Sequence, residues 1–297
     1  MAGPWDVMVV VAKAVAYAAT FGAGGGVFFL IYNRASIEAA NGGRIRRFIV
    51  SLSIAAACAS AAKILLTAGS MSGDVRSLWD PELERMILQA GEGAAVTQRL
   101  LGLGCMVAAL ARCGAQPAGR SAGRRPALAL VGAVAAATSF AWVGHVHVLA
   151  APLLGVSIVA LHALGAAFWL GAFVPLLIVS RDRDVARMTR AVARFSATAQ
   201  WVVAVLLLAG VILVCLLLQS PADLWRSDYG RLLLVKIAFV SALLSLAAFN
   251  RQRLTPRLST HDDRAARALR TAIRLEIFLA CVIMLVTAAM TTLVGPP

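Results

Sequence analysis

Eight long apolar runs dominate the sequence, and each is long enough to cross a membrane as a helix. They lie near 7–32, 48–70, 92–111, 126–144, 152–179, 195–218, 231–249 and 271–294. A hydrocarbon core of about 30 Å takes about 20 helical residues to cross. Backbone N–H and C=O groups in hydrocarbon must be satisfied within the segment, and these runs are too long for barrel strands. The sequence therefore predicts an all-α, polytopic membrane helical bundle with about eight transmembrane helices.

The overall composition agrees with a membrane protein and with no class of soluble protein. Hydrophobic residues make up 60% of the 297 positions, charged residues 14%, and the mean hydropathy is +0.82. The N-terminal run has no preceding basic region and contains Lys13, so we expect it to be retained rather than cleaved as a signal peptide. The five cysteines form no CxxC pair, and we expect no disulfide framework.

Arginines cluster in alternate connections between the runs, which predicts the orientation of the chain. By the positive-inside rule these connections are cytoplasmic. They contain Arg34, Arg44, Arg46 and Arg47; Arg112, Arg120, Arg124 and Arg125; Arg181, Arg183, Arg187, Arg190 and Arg194; and Arg251, Arg253, Arg257, Arg264, Arg267 and Arg270. We therefore expect a multi-pass protein of the bacterial inner membrane with both termini periplasmic. The net charge of +14 is then a topology signal rather than a sign of nucleic-acid binding.

A weak internal repeat is visible when each residue is compared with the one 147 positions later. Arg34 then matches Arg181, and Gly24 matches Gly171. This pattern divides the chain into a four-helix half at 1–144 and a second at 145–297. Because each half has an even number of spans, the halves are expected to be parallel repeats about an axis along the membrane normal.

Three of the four histidines lie close together in the sequence and are the first candidates for a site. His145 and His147 fall in a short periplasmic loop, and His162 lies ten residues after Pro152, near the bilayer midplane. An ionisable group at that depth is a functional hypothesis. His162 is a candidate metal or haem ligand, with a structural hydrogen bond as the alternative. His145 and His147 are either an entry pair for a metal or neutral interface residues.

Methionine thioethers are soft donors that suit Cu(I). Four of them fall at the periplasmic ends of their spans, on the side of the histidine loop: Met8, Met71, Met86 and Met290. They predict a copper-entry lining, although methionine is also ordinary membrane filler. No Walker loop, HExxH, GxSxG or paired metal carboxylate is found, so we expect neither an ATP-driven pump nor an enzyme.

Other charges interrupt the apolar runs and must pair, snorkel or line water. Gln98 and Arg99 are expected at the interfacial part of the third span. Lys236 is expected to snorkel outward, and Glu276 to pair with a cytoplasmic arginine such as Arg270.

Several short motifs in the second half occur in a characteristic order. They are Leu161 to Gly171 (LHALGAAFWLG), Arg194-Phe-Ser196, Ser227 to Lys236 (SDYGRLLLVK), Asn250-Arg251 and Arg274-Leu-Glu276. Over roughly 155–294 this order resembles the CopD-type copper-resistance family. The resemblance implies an inner-membrane protein that works with a soluble periplasmic copper carrier and moves copper across the membrane or binds it there. It points, without assigning roles, to His162, Trp169, Tyr229, Arg231, Lys236 and Glu276.

Two other interpretations remain open at this point. A membrane redox protein could bind haem b with His162 as an axial ligand, although the sequence offers no second histidine at the midplane. A non-transporting assembly partner would use His162 only structurally. Of the three, copper import agrees best with the resemblance and with the methionines.

Overall fold

The computed structural model describes residues 3–111, 123–143, 152–182, 184–258 and 263–296, and these ranges are helical without a β-strand. The α-helices are α1 Pro4–Tyr32, α2 Ala39–Ser72, α3 Pro81–Ile87, α4 Gly93–Leu110, α5 Arg124–Thr138, α6 Pro152–Leu170, α7 Phe173–Val179, α8 Val185–Leu217, α9 Asp223–Arg226, α10 Asp228–Phe249, α11 Thr255–Leu258 and α12 Asp263–Leu293.

Eight segments of the described chain are long and apolar enough to cross a membrane, which confirms the predicted fold class. Three of them combine shorter helices: α3 with α4 through a π-helical segment at 88–92, α6 with α7, and α10 with α11 through a π-helical segment at 250–254. Several helices begin earlier than the apolar runs. The helix α2 begins at Ala39 rather than near 48, and α8 begins at Val185 rather than near 195, because their first turns carry arginines that hydropathy assigns to loops.

The third span differs most from the prediction. It begins at Pro81, where the Asp80 carboxylate accepts a hydrogen bond from the Glu82 backbone N–H at 2.9 Å, and not near 92. The helix is interrupted at Ala90 and Gly91, and Gly91 has a φ of 93° that favours glycine. This break turns the chain between the polar α3 and the apolar α4.

The helix α1 lies against both halves of the chain, packing on α2, α5, α6 and α12. Its glycines allow a close crossing with α6. A Cβ on Gly25 would overlap the carbonyl oxygen of Ala167 and the backbone of Gly171, and a Cβ on Gly171 would overlap the carbonyl oxygen of Phe21 and the Cα of Gly25. Small residues permit this kind of backbone approach in membranes. The contact is reciprocal. Each glycine faces the other glycine and the carbonyl oxygen of the residue four positions before it, which is Phe21 for Gly25 and Ala167 for Gly171.

The bundle has an arginine-rich end and an opposite end. The arginine-rich end is the one at which α1 ends at Tyr32, α7 ends at Val179 and α10 ends at Phe249. The opposite end is the one at which α2 ends at Ser72, α8 ends at Leu217 and α10 begins at Asp228.

Candidate metal site

His162 lies inside the bundle, ten residues after α6 begins at Pro152. Its Nδ1 atom is 3.1 Å from the carbonyl oxygen of Leu206 on α8. The neighbouring turn of α8 contains Gly210, where a Cβ would lie 3.3 Å from Cε1 of the imidazole ring. The glycine therefore leaves the space that the ring occupies between α6 and α8.

This hydrogen bond fixes the tautomer of a neutral His162 side chain. A carbonyl oxygen can only accept, so Nδ1 must carry the proton that it donates to Leu206. The lone pair of the ring is then on Nε2. Histidines that bind metals usually donate their other ring N–H to a carbonyl or carboxylate in this way, which orients the ring. The ring orientation of His162 is therefore fixed by the backbone of α8, and Nε2 is the ring atom with the lone pair.

Lys236 is close enough to His162 to act on it electrostatically from α10. Its neighbour Arg231, one turn and a half earlier, is exposed and pairs with Asp228 at 3.3 Å, and its Nε donates to the carbonyl oxygen of Trp225 at 3.2 Å. Of the two cations that the family resemblance singles out on α10, Lys236 is thus the one that acts electrostatically on the imidazole.

The four candidate methionines do not form one cluster. Met8, Met71 and Met86 lie on the surface of the bundle, with 46% to 54% of each residue exposed. Met290 is buried and packs with Tyr229 and Leu233 in a small apolar cluster at the opposite end. Met290 is thus the one candidate thioether that lies inside the C-terminal half, together with Tyr229.

His145 and His147 lie outside the described residues. Within the described ranges, no group of three or more His, Cys, Asp or Glu side chains is arranged to hold a metal ion. Of the three candidate histidines, His162 is the one that lies within the described residues.

Trp169 and Glu276 lie toward the arginine-rich end, far along the helices from Tyr229. Trp169 is buried and packs edge-to-face on Phe173, with ring centroids 6.0 Å apart. The Glu276 carboxylate accepts a hydrogen bond from Nδ2 of Asn250 at 2.8 Å. Arg270, the partner expected from the sequence, instead donates to the carbonyl oxygen of Ser180 at 3.2 Å. The residues to which the family resemblance points are thus divided between the two ends of the bundle.

Arg99 is buried between helices, which the sequence did not predict. Only 4% of this residue is exposed. Its Nε donates to the hydroxyl of Ser139 at 3.0 Å, and the guanidinium carbon lies 3.9 Å from the centre of the Phe140 ring. Nearby, Lys63 forms an ion pair with Glu92. Such hydroxyl and ring partners come from other helices, which explains why local hydropathy gave no sign of them.

One charge of the N-terminal half binds the C-terminal half directly. The Lys13 ammonium donates to the carbonyl oxygen of Thr291 at 3.0 Å and to the hydroxyl of Thr292 at 3.3 Å. A cation at the C-terminal end of α12 satisfies carbonyl groups that have no partner within the helix. Lys13 therefore joins α1 to the last turn of α12.

Comparison with known proteins gives two family matches that together cover both halves. Residues 4–150 match "Copper resistance protein D-like, N-terminal domain", and residues 189–290 match "Copper resistance protein D". The first half, whose role the sequence left open, is thus the N-terminal domain of the same family. No solved structure matches the chain.

Three curated relatives agree with these matches. The inner membrane protein YebZ of Escherichia coli K12 is 32% identical over 45% of this chain and 47% of YebZ. The copper transport protein CutJ of Bacillus subtilis 168 is 27% identical over 53% of this chain and 28% of CutJ. Copper resistance protein D of Pseudomonas syringae pv. tomato is 29% identical over 56% of this chain and 58% of that protein. The matched region covers less than two thirds of each relative. The chain belongs to the CopD-type copper resistance family.

Proposed function

We propose that this protein takes copper from the periplasm and moves it into or across the inner membrane, with His162 as an intramembrane ligand. The observation that carries the proposal is the hydrogen bond from Nδ1 of His162 to Leu206, which leaves Nε2 as the free donor atom. An imidazole held in this way inside an apolar bundle is suited to a metal that accepts nitrogen ligands.

The choice of copper rests on ligand chemistry and on the relatives. Imidazole and thioether are donors for copper, and Met290 is buried with Tyr229 at the end from which copper would enter. Two of the relatives are named for copper transport and copper resistance. Imidazole and thioether side chains suit copper better than a hard divalent cation such as magnesium.

The direction of entry rests on the arginine asymmetry. The positive-inside rule assigns the arginine-rich end to the cytoplasm and the opposite end, with both termini, to the periplasm. Copper would then meet His145 and His147 first, with Met8, Met71 and Met86 near the surface, and would reach His162 afterwards. A soluble periplasmic copper carrier would deliver it to this face.

Copper and haem are separated by metal analysis and visible absorption of the purified protein. All five cysteines, Cys58, Cys105, Cys113, Cys215 and Cys281, should first be replaced by alanine, because thiolates also bind Cu(I). We expect copper to bind after Cu(I) loading, to be lost from His162→Ala, and to be released on acidification as protons compete for the imidazole. A haem spectrum in the untreated protein, or unchanged copper binding by His162→Ala, contradicts the proposal.

A further inference from the structure

A second polar site lies in the C-terminal half, away from His162. An open cavity of about 460 Å³ is lined by α6, α7, α8, α10 and α12 toward the arginine-rich end. Much of its wall is apolar and includes Trp169, Phe173 and Val203. Its polar lining includes Ser196, Gln200, Asn250 and Glu276.

Two of these polar side chains are almost fully buried and bonded to each other. Glu276 is 5% exposed and Asn250 is 6% exposed. The carboxamide of Asn250 donates through Nδ2 to Oε1 of Glu276 at 2.8 Å, and its own Oδ1 atom has no hydrogen-bond partner. A buried acceptor without a partner destabilises the folded protein, because it has lost its hydrogen bonds to water. The pair therefore presents one buried oxygen, Oδ1 of Asn250, that lacks a donor or a cation.

The backbone at Asn250 is adapted to this position. Asn250 begins the π-helical segment 250–254, and the backbone N–H of Thr255 donates to its carbonyl oxygen, one residue further along than in an α-helix. The Thr255 hydroxyl donates to the same oxygen at 3.0 Å. Single π-helical turns inside α-helices occur frequently at functional sites. The segment also brings the exposed residues Arg251 and Gln252 to the cavity lining.

A negative charge at Glu276 needs a compensating cation. A carboxylate removed from water costs several kcal/mol unless it is paired, and the hydrogen bond from a neutral amide does not neutralise it. Of the arginines near it, Arg270 bonds to the backbone of Ser180, while Arg251 and Arg274 are exposed. Carboxylate, amide and hydroxyl oxygens are hard donors, which Cu(I) does not prefer.

We propose that Glu276 and Asn250 form a binding site for a hard monovalent cation, a proton or a sodium ion, which enters through this cavity from the arginine-rich end. The Glu276 carboxylate supplies the charge, and Oδ1 of Asn250 supplies a neutral oxygen. The site uses none of the groups assigned to copper. A test of this cation site is therefore independent of a test of His162.

Modification with dicyclohexylcarbodiimide tests this site, because the reagent adds to protonated carboxyl groups in apolar surroundings and leaves a stable mass increase. The purified full-length protein is treated in sodium-free buffer, and the modified residue is located by peptide mass spectrometry. We expect Glu276 to be modified in the wild-type protein. Glu92 is the internal control, because its carboxylate is paired with the Lys63 ammonium and it does not line this cavity.

Sodium distinguishes the two cations. If added sodium slows the modification of Glu276 and added potassium does not, the site binds sodium. If neither salt changes the rate of modification, the site binds a proton. An unmodified Glu276 under conditions that modify other carboxyl groups overturns the proposal.

Filling the cavity tests the access route. Ala199 lines the cavity, whereas Ala204 lies exposed on the same helix. Ala199→Leu should slow modification of Glu276 severalfold, and Ala204→Leu should leave the rate unchanged. Equal rates in the two variants would contradict entry through this cavity.

Discussion

The imidazole Nδ1 of His162 and the carbonyl oxygen of Leu206 lie 3.1 Å apart and join α6 to α8 in the interior of the membrane segment. The Leu206 carbonyl already has a place in the hydrogen-bond pattern of α8, so His162 is a second donor to it. Because the carbonyl accepts only, the bond orients the ring and selects its tautomer. Predictions about the site follow from this fixed ring and from the charges around it.

Lys236→Gln should strengthen copper binding at His162. The ammonium of Lys236 acts electrostatically on the imidazole and repels a cation bound to it. Removing one such charge is expected to stabilise bound copper by about 1 kcal/mol, or about fivefold in affinity. Competition with a Cu(I) chelator measures the change. Arg187→Gln removes a charge at the other end of the bundle and should leave the affinity unaltered; weaker binding by Lys236→Gln would contradict the prediction.

Glu92→Gln should destabilise the N-terminal half, because it leaves the Lys63 ammonium without its partner. Both side chains are mostly buried, and breaking a buried pair typically costs about 3–5 kcal/mol. The double variant Lys63→Met with Glu92→Leu should recover most of the loss. Thermal unfolding in detergent compares these proteins with Arg231→Gln, which breaks an exposed pair and should change stability by about 1 kcal/mol or less. A double variant as unstable as Glu92→Gln would count against this account.

Gly171→Ala should weaken the crossing of α1 and α6. The added methyl group would meet the Phe21 carbonyl oxygen and the Gly25 backbone, which cannot move aside as a side chain can. Overpacking of this kind typically costs about 1–3 kcal/mol. Gly104→Ala is the matched control, since no neighbouring atom lies within 4 Å of the added carbon. Equal melting temperatures for the two variants would show that the crossing is not tightly packed.

The same crossing supports the proposed repeat without establishing it. Gly25 and Gly171 exchange equivalent contacts, and they are 146 residues apart, close to the offset of 147 seen in the sequence. We expect spans one to four to superpose on spans five to eight by rotation about an axis near the membrane normal. An experimental structure in which the superposition needs an in-plane axis would exclude parallel repeats.

Orientation is tested by the accessibility of single cysteines introduced into a cysteine-free protein. Positions near 40, 118, 185 and 260 should be cytoplasmic, and positions near 78, 148 and 225 should be periplasmic, as the arginine distribution predicts. Membrane-impermeant thiol reagents applied to whole cells should label only the second group. Labelling near 40 and 185 from outside would reverse the topology and with it the proposed direction of copper entry.

The sequence predicted the spans well because a helix that crosses hydrocarbon needs about 20 consecutive apolar residues. The ends of α1 at Tyr32 and the start of α6 at Pro152 agree with the predicted runs. The rule fails where helices continue past the hydrocarbon, as at Ala39 and Val185, since arginines lower local hydropathy without breaking a helix.

The partners of buried polar groups could not be predicted from local sequence. Glu276 was expected to pair with an arginine about one turn and a half away, and instead it bonds to Asn250 on another helix. Arg99 is buried against Ser139 and Phe140, about 40 residues further along the chain, and the sequence around Arg99 did not indicate these partners. Such partners depend on which helix faces meet, and a single sequence does not specify that. His162 could be recognised because an imidazole in an apolar run is rare whatever its neighbours.

Copper uptake by cells that lack the native gene tests the central claim most directly. Cells expressing the wild-type protein or His162→Ala are compared by mass-spectrometric copper content, with expression matched by immunoblot and helicity by circular dichroism. The account predicts that His162→Ala abolishes uptake, and that changing His145 and His147 together weakens it mainly at low copper. Wild-type uptake by His162→Ala would contradict the ligand assignment and would leave the bond to Leu206 as a structural contact between α6 and α8.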